Sequence, residues 1–244
     1  MIIEAGLRRY EVINEEIKKE LQKKNKAVVK DVNGQRYIGC ALDEGKTIEV
    51  YGTPGNDMAC YLNGGKVVVY GNCQDAVGNT MGGGEIVVHG HSGDAMGYGM
   101  RDGQIYIQNN VACRGGIHMK EFRQMRPVLV IGESAGSFLG EYMAGGTIVL
   151  LGLNLKRGEK LFGTHCASGM HGGKIIVRGN FPKENLSDNI KIANLDDDDM
   201  KELKSYVKKY CKYFDADYDT IMNKPFKKLV PATSRPYANL YTPN

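Results

Sequence analysis

The sequence predicts an all-β fold: a single-stranded, right-handed parallel β-helix of about seven to eight coils with helical caps at both ends. Three observations carry this expectation. Residues 63–110 repeat themselves every 19 residues. Each copy passes from glycine into a five-residue β-rich run, and alternate positions of those runs are uniformly aliphatic. A strand recurring at a fixed period marks a solenoid, whose units bury a core only by stacking on one another.

The repeat is visible residue by residue. Asn63-Gly64-Gly65-Lys66-Val67-Val68-Val69-Tyr70-Gly71 is followed by Gly82-Gly83-Gly84-Glu85-Ile86-Val87-Val88-His89-Gly90, and then by Arg101-Asp102-Gly103-Gln104-Ile105-Tyr106-Ile107-Gln108-Asn109. Residues 47–51, 147–151 and 174–178 extend the series, each with glycine before and after. Residues 128–131 read as a strand without the leading glycine pair, and residues 28–32 as the first strand. Extra stretches at 120–126 and 154–160 break the period and read as loops projecting from the stack.

Strand side chains alternate faces, so period two separates core from exterior. Val67 and Val69, Ile86 and Val88, Ile105 and Ile107, Ile148 and Leu150, Ile175 and Val177 form the uniform inward set. The alternate set, with Tyr51, Tyr70, His89, Gln108, Leu151 and Arg178 among it, is mixed and faces outward or a neighbouring layer. Leu42, Leu62, Met81, Met100, Met143 and Met170 form a second inward ladder before the glycines. The glycines themselves read as corners that need φ > 0. A phosphate cradle would instead lead into a helix N-terminus, and here a β-run follows.

The ends of the chain differ from the middle. Residues 10–26 place Val12 or Ile13, Ile17 and Leu21 at helical spacing among charges, an amphipathic helix suited to capping the first coil. Asp196, Asp197, Asp198 and Asp199 begin a second helix, where the macrodipole favours negative charge; Leu203, Val207, Tyr210 and Cys211 share one of its faces. Residues 224–244 are too irregular for a core of their own and are expected to lie extended along the solenoid or a partner. The expected division is residues 1–27 for the N-terminal helical cap, 28–181 for the β-helix and 182–244 for the C-terminal helix and tail.

The net charge of +4 is mild and its lysines are dispersed, so nucleic acid is not the expected partner. No run of about 18 apolar residues occurs, and no signal peptide opens the chain, so a cytoplasmic protein is expected. The six cysteines include no C-x-x-C pair; Cys40 and Cys60 share one repeat position and read as stacked small side chains. His89 and His91 stand two apart at a strand end, a spacing that could hold a metal. His91, however, aligns with Asn72, Asn110 and Asn180 in a polar ladder.

Three segments carry a family resemblance: Gly-Asn-Cys-Gln-Asp-Ala-Val-Gly-Asn-Thr-Met (71–81), Gly-His-Ser-Gly-Asp-Ala-Met-Gly-Tyr-Gly-Met (90–100) and Gly-Ser-Phe-Leu-Gly-Glu-Tyr-Met-Ala-Gly-Gly (136–146). They resemble the GXGXG domain, the C-terminal β-helix of the large chain of glutamate synthase, in its stand-alone form. The β-helical subunit of the formylmethanofuran dehydrogenases is a sister branch on the same repeat. The resemblance implies a non-catalytic structural subunit of a glutamate-synthase-type complex, which moves glutamine amide nitrogen to a 2-oxo acid. Its implied partners are a class II glutamine amidotransferase and a synthase subunit holding FMN and an iron–sulfur cluster. This chain begins Met1-Ile2, without the N-terminal nucleophilic cysteine of the amidotransferase, and no cysteine run has cluster spacing. A flavin-binding barrel alone takes roughly 250 residues. No catalytic, cofactor or metal residue is therefore assigned, and a homo-oligomer is left open. The alternative is the β-helical subunit of a molybdenum- or tungsten-dependent formylmethanofuran dehydrogenase. A carbohydrate-active β-helix is disfavoured, because Glu49 is the lone acid among the outward positions considered.

Overall fold

The structure is a computed structural model and describes residues 2–233. The chain opens with strand β1 (Ile2–Glu4) and helix α1 (Tyr10–Lys23). Eight solenoid strands follow: β2 (Lys26–Asn33), β3 (Thr47–Thr53), β4 (Asn63–Tyr70), β5 (Gly82–Val88), β6 (Asp102–Ile107), β7 (Val128–Ile131), β8 (Ala144–Leu150) and β9 (Gly172–Arg178). Strand β10 (Ile190–Ala193), helices α2 (Asp197–Phe214) and α3 (Tyr218–Met222), and strand β11 (Phe226–Pro231) complete it.

Strands β2 to β9 stack in parallel and in sequence order. Val67, Ile86, Ile105, Leu129, Ile148 and Ile175 stand in register along the stack. Six turns separate β3 from β9 and β2 adds one more; the ladder shifts register within the β2–β3, β4–β5, β5–β6 and β8–β9 pairs. The six turns from β3 to β9 are slightly fewer than the seven to eight coils expected, and other segments close both ends. Strand β1 pairs with β2. Beyond β9 the direction reverses: β11 pairs antiparallel with β9, and β10 antiparallel with β11. Both closures consume ladder groups that would otherwise template open-ended pairing.

All ten aliphatic residues assigned inward are fully buried. The Leu/Met ladder lines the same core, and Met119 is a further fully buried member. Truncating Ile86→Ala is expected to cost about 2–5 kcal/mol through the cavity it leaves. Urea unfolding measures this, and an unchanged midpoint would place Ile86 outside the core.

The two predicted helices form, with different roles. Helix α1 buries Ile13, Ile17 and Leu21 over the first coil, as a cap does. Helix α2 starts on a capping box between Asp196 and Asp199 but does not cap the far end. It lies across the outward face of the strands, burying Leu203, Val207 and Tyr210 with Tyr106, Val128, Val130, Val149, Leu151 and Ile176. The apolar members of the outward set are what makes this possible: those strands have two dry faces. The C-terminal segment expected to lie extended does so through residue 231, as β11; residues 234–244 fall outside the described residues.

Candidate interaction surfaces

One side of the solenoid is sealed by α2. At the centre of this seam Glu85 meets Lys66 at 2.8 Å and Lys209 at 2.9 Å and accepts from the Tyr213 hydroxyl at 2.6 Å. Lys209 also donates to Gln104, which accepts from the Tyr106 hydroxyl. Burial alone would raise the Glu85 pKa, but the two lysines and Tyr213 hold it down to about 2. Glu85 is therefore ionised at neutral pH.

The outward aromatic ladder sits at the margin of this seam. Tyr51 stacks on Tyr70 at 4.6 Å and Tyr70 on His89 at 4.8 Å; Phe214, at the end of α2, closes edge-on to His89 at 5.0 Å. Burial lowers the His89 pKa, which favours the neutral ring. Tyr51 and Tyr70 remain partly exposed. His91 points elsewhere: its Nδ1 contacts Asn110 Oδ1 and its backbone N–H donates to Asn72 Oδ1. The two histidines are thus committed to separate partners. Among the described residues no group of three or more His, Cys, Asp or Glu could hold a metal ion. Two members of the acidic run at 196–199 are likewise engaged: Asp199 pairs with Lys174 at 2.6 Å and also with Lys228, and Asp196 pairs with Lys228 at 2.7 Å.

The other side of each coil is built from an unusual backbone. Asp57, Ala59 and Tyr61 all have φ > 0, and so do Ala76, Gly78 and Thr80; Ala95, Gly97 and Gly99; Arg114, Gly116 and His118; Phe138, Gly140 and Tyr142; His165, Ala167 and Gly169. Left-handed residues two apart are the conformational content of the G-x-G-x-G pattern. In the first five of these triads the first and third N–H groups bond forward to the next coil, as Asp57 to Asp75 O and Tyr61 to Asn79 O. The middle one bonds backward, as Ala59 to Ile38 O. This conformation costs a non-glycine residue about 1–2 kcal/mol, and the inter-coil bonds and buried core offset it.

These turns display aromatic and cationic side chains outward. Tyr98 meets His118 edge-on at 5.8 Å, and His118 stacks on Tyr142 at 5.2 Å. Alongside, the Arg114 guanidinium lies over Phe138 at 4.9 Å, and Phe138 stacks on His165 at 4.9 Å. Arg114 also pairs with Glu141 at 3.1 Å. Tyr98 is 41% exposed and Tyr61 57%. Sequence reasoning missed this band. Its members recur at irregular intervals, because the insertions at 120–126 and 154–160 lengthen two coils.

The fold and its turns define a class: a one-strand-per-coil solenoid with a dry aliphatic interior and left-handed turn triads. The chain belongs to the GXGXG motif family, whose profile matches residues 7–234. An uncharacterized protein of Methanocaldococcus jannaschii is 40% identical over 253 aligned residues, which cover all of this chain and 97% of the relative. Among solved structures, a chain of the formyltransferase/hydrolase complex of Methylorubrum extorquens, crystallised with methylofuran, superposes with a TM-score of 0.66 at 21% identity. That match covers 86% of this chain and 79% of the other, and at this identity it concerns the fold alone. No helix among the described residues is long and apolar enough to cross a membrane.

Proposed function

We propose that the chain is a non-catalytic scaffold subunit of a multi-subunit enzyme complex, docking its partners through the aromatic band of the left-handed turns. The observation that supports this best is the division of the surface. The strand face is sealed by the chain's own α2, whereas the opposite turns hold strained non-glycine residues and present aromatic, His and Arg side chains to solvent. Aromatics and arginine are the residue types enriched at interfaces. The leading assignment is a glutamate-synthase-type complex, with a class II glutamine amidotransferase and an FMN/iron–sulfur synthase as partners. The isolated chain is then expected to carry no flavin absorbance, no iron and no glutaminase activity; stoichiometric flavin or iron in the purified chain would contradict this.

The fold match to the formyltransferase/hydrolase complex supports a second reading equally: the β-helical subunit of a molybdenum- or tungsten-dependent formylmethanofuran dehydrogenase. Parallel co-expression distinguishes the two. Retention of the amidotransferase and synthase on the tagged chain supports the first, and retention of molybdopterin-enzyme subunits supports the second. Retention of neither set removes the scaffold role.

A further inference from the structure

Cys40 and Cys60 occupy equivalent places in consecutive coils. Each sits between two left-handed residues, Gly39 and Ala41 for Cys40, Ala59 and Tyr61 for Cys60. The coils are tied at this level by Ala41 N–H donating to Cys60 O at 2.9 Å and Ala59 N–H donating to Ile38 O at 2.8 Å. Stacked strands lie about 4.8 Å apart, within the ~4.4–6.8 Å Cα separation that a disulfide spans. Burial, and after it the neighbouring Cys40, pushes the Cys60 thiol up to about 12. Other cysteines stack differently: Cys73 faces Ser92, and Cys166 faces Leu186.

The pair is also asymmetric in access. Cys60 is buried and Cys40 exposed. Cys40 lines a groove of about 590 Å³ between α1 and the first coil, with Lys18, Gln22, Tyr37 and Asp43 among its other walls. Asn14, on the same groove, keeps a buried Oδ1 without a hydrogen-bond partner. The groove is large enough for a peptide-sized reagent to approach Cys40, while the buried Cys60 is not among its walls. An exposed attacking thiol over a buried resolving thiol is the arrangement of a thiol–disulfide exchange site.

We propose that Cys40 and Cys60 form a redox site at which a small-molecule disulfide closes a Cys40–Cys60 bond, stapling the first two coils beneath α1. In the first step the Cys40 thiolate attacks one sulfur of the reagent, forming a mixed disulfide and releasing one small thiolate. In the second, Cys60 loses its proton to solvent and attacks Cys40 Sγ. The bond from Cys40 to the reagent breaks, and a second small thiolate leaves. The protein gives up two electrons and two protons, and the reagent becomes two thiols.

The test uses the full chain and oxidised glutathione, followed by tryptic mapping under non-reducing conditions. Lys46 lies between the two cysteines, so cleavage there leaves them on separate peptides unless they are bonded. The expected wild-type product is a Cys40–Cys60 cross-linked peptide, lighter by two hydrogens, with no glutathione retained on either residue. In Cys60→Ser the glutathione is expected to remain on Cys40, and in Cys40→Ser the buried Cys60 is expected to stay unmodified. Should the variants misfold, the wild-type time course decides: the Cys40 adduct must appear first and decline as the cross-link grows. A stable glutathione adduct on wild-type Cys40, or modification confined to Cys113 and Cys211, would overturn the proposal.

Discussion

Gly84→Ala is expected to destabilise the protein by at least ~3 kcal/mol, although it adds only one methyl group. Gly84 lies near the start of β5 at φ +89°, and a Cβ there would lie 2.2 Å from Gly65 O and 2.8 Å from Gly64 C. Both obstacles are backbone of the preceding coil, so no side chain can rotate away. Alanine loses about 1–2 kcal/mol to the left-handed conformation and must also push two coils apart, breaking ladder bonds and opening the core. Gly45 provides the contrast. Its φ is +74°, yet nothing lies within 4 Å of an added Cβ, so Gly45→Ala is expected to lose only the conformational part. Denaturant midpoints of the two variants measure the difference; equal losses would show that the coils do not approach as described.

The second large effect is expected from Asp199→Ala, at about 3 kcal/mol. Asp199 is buried, closes the capping box of α2, and neutralises Lys174 and Lys228 together. Removing it takes one of two carboxylate partners from each ammonium group, Lys174 keeping Glu202 and Lys228 keeping Asp196, opens the capping box and loosens the start of the helix from β9 and β11. Burial on its own would raise the Asp199 pKa, but the two lysines and the Asp196 backbone N–H hold it well below the usual carboxylate range. The sign follows from that depression. The contribution is fully present above the unfolded pKa of about 4 and is lost as pH falls through the lower folded value. Glu85, held down to about 2 by Lys209, Lys66 and Tyr213 against its burial, loses its share over the same interval. Acid titration of the wild type is therefore expected to release α2 from the strand face below pH ~4, and Asp199→Ala is expected to flatten that limb. Unchanged acid sensitivity in the variant would assign the limb to other carboxylates.

The strands were legible because two periods agree: alternation within five residues and repetition every 19. Val67, Ile86 and Ile105 stand at matching points of both, and all three are fully buried. Met119 keeps the 19-residue spacing from Met100 but escaped notice, since no glycine pair follows it before β7. The apolar face of α2 was equally legible in Leu203, Val207 and Tyr210. Its destination was not, because a helix stripe states only that something dry must cover it. The partner was written in Val149 and Ile176, outward residues too apolar for solvent. The turn band was hidden for a different reason. Tyr98, His118 and Tyr142 lie 20 and 24 residues apart, so they align only once the coils are stacked. His118 and Tyr142 also hold left-handed backbone without being glycine.

Partner docking on the aromatic band is tested most directly by Tyr98→Glu combined with Phe138→Asn, since asparagine tolerates the left-handed conformation that Phe138 holds. The measurement is the mass of the complex purified on the tagged chain after co-expression with each partner set, wild type against double variant. A complex of wild-type chain with one partner set that is lost in the double variant, while the variant's own unfolding midpoint is unchanged, is the predicted result. A complex of the same mass in both would place the docking surface elsewhere and contradict the role assigned to the band.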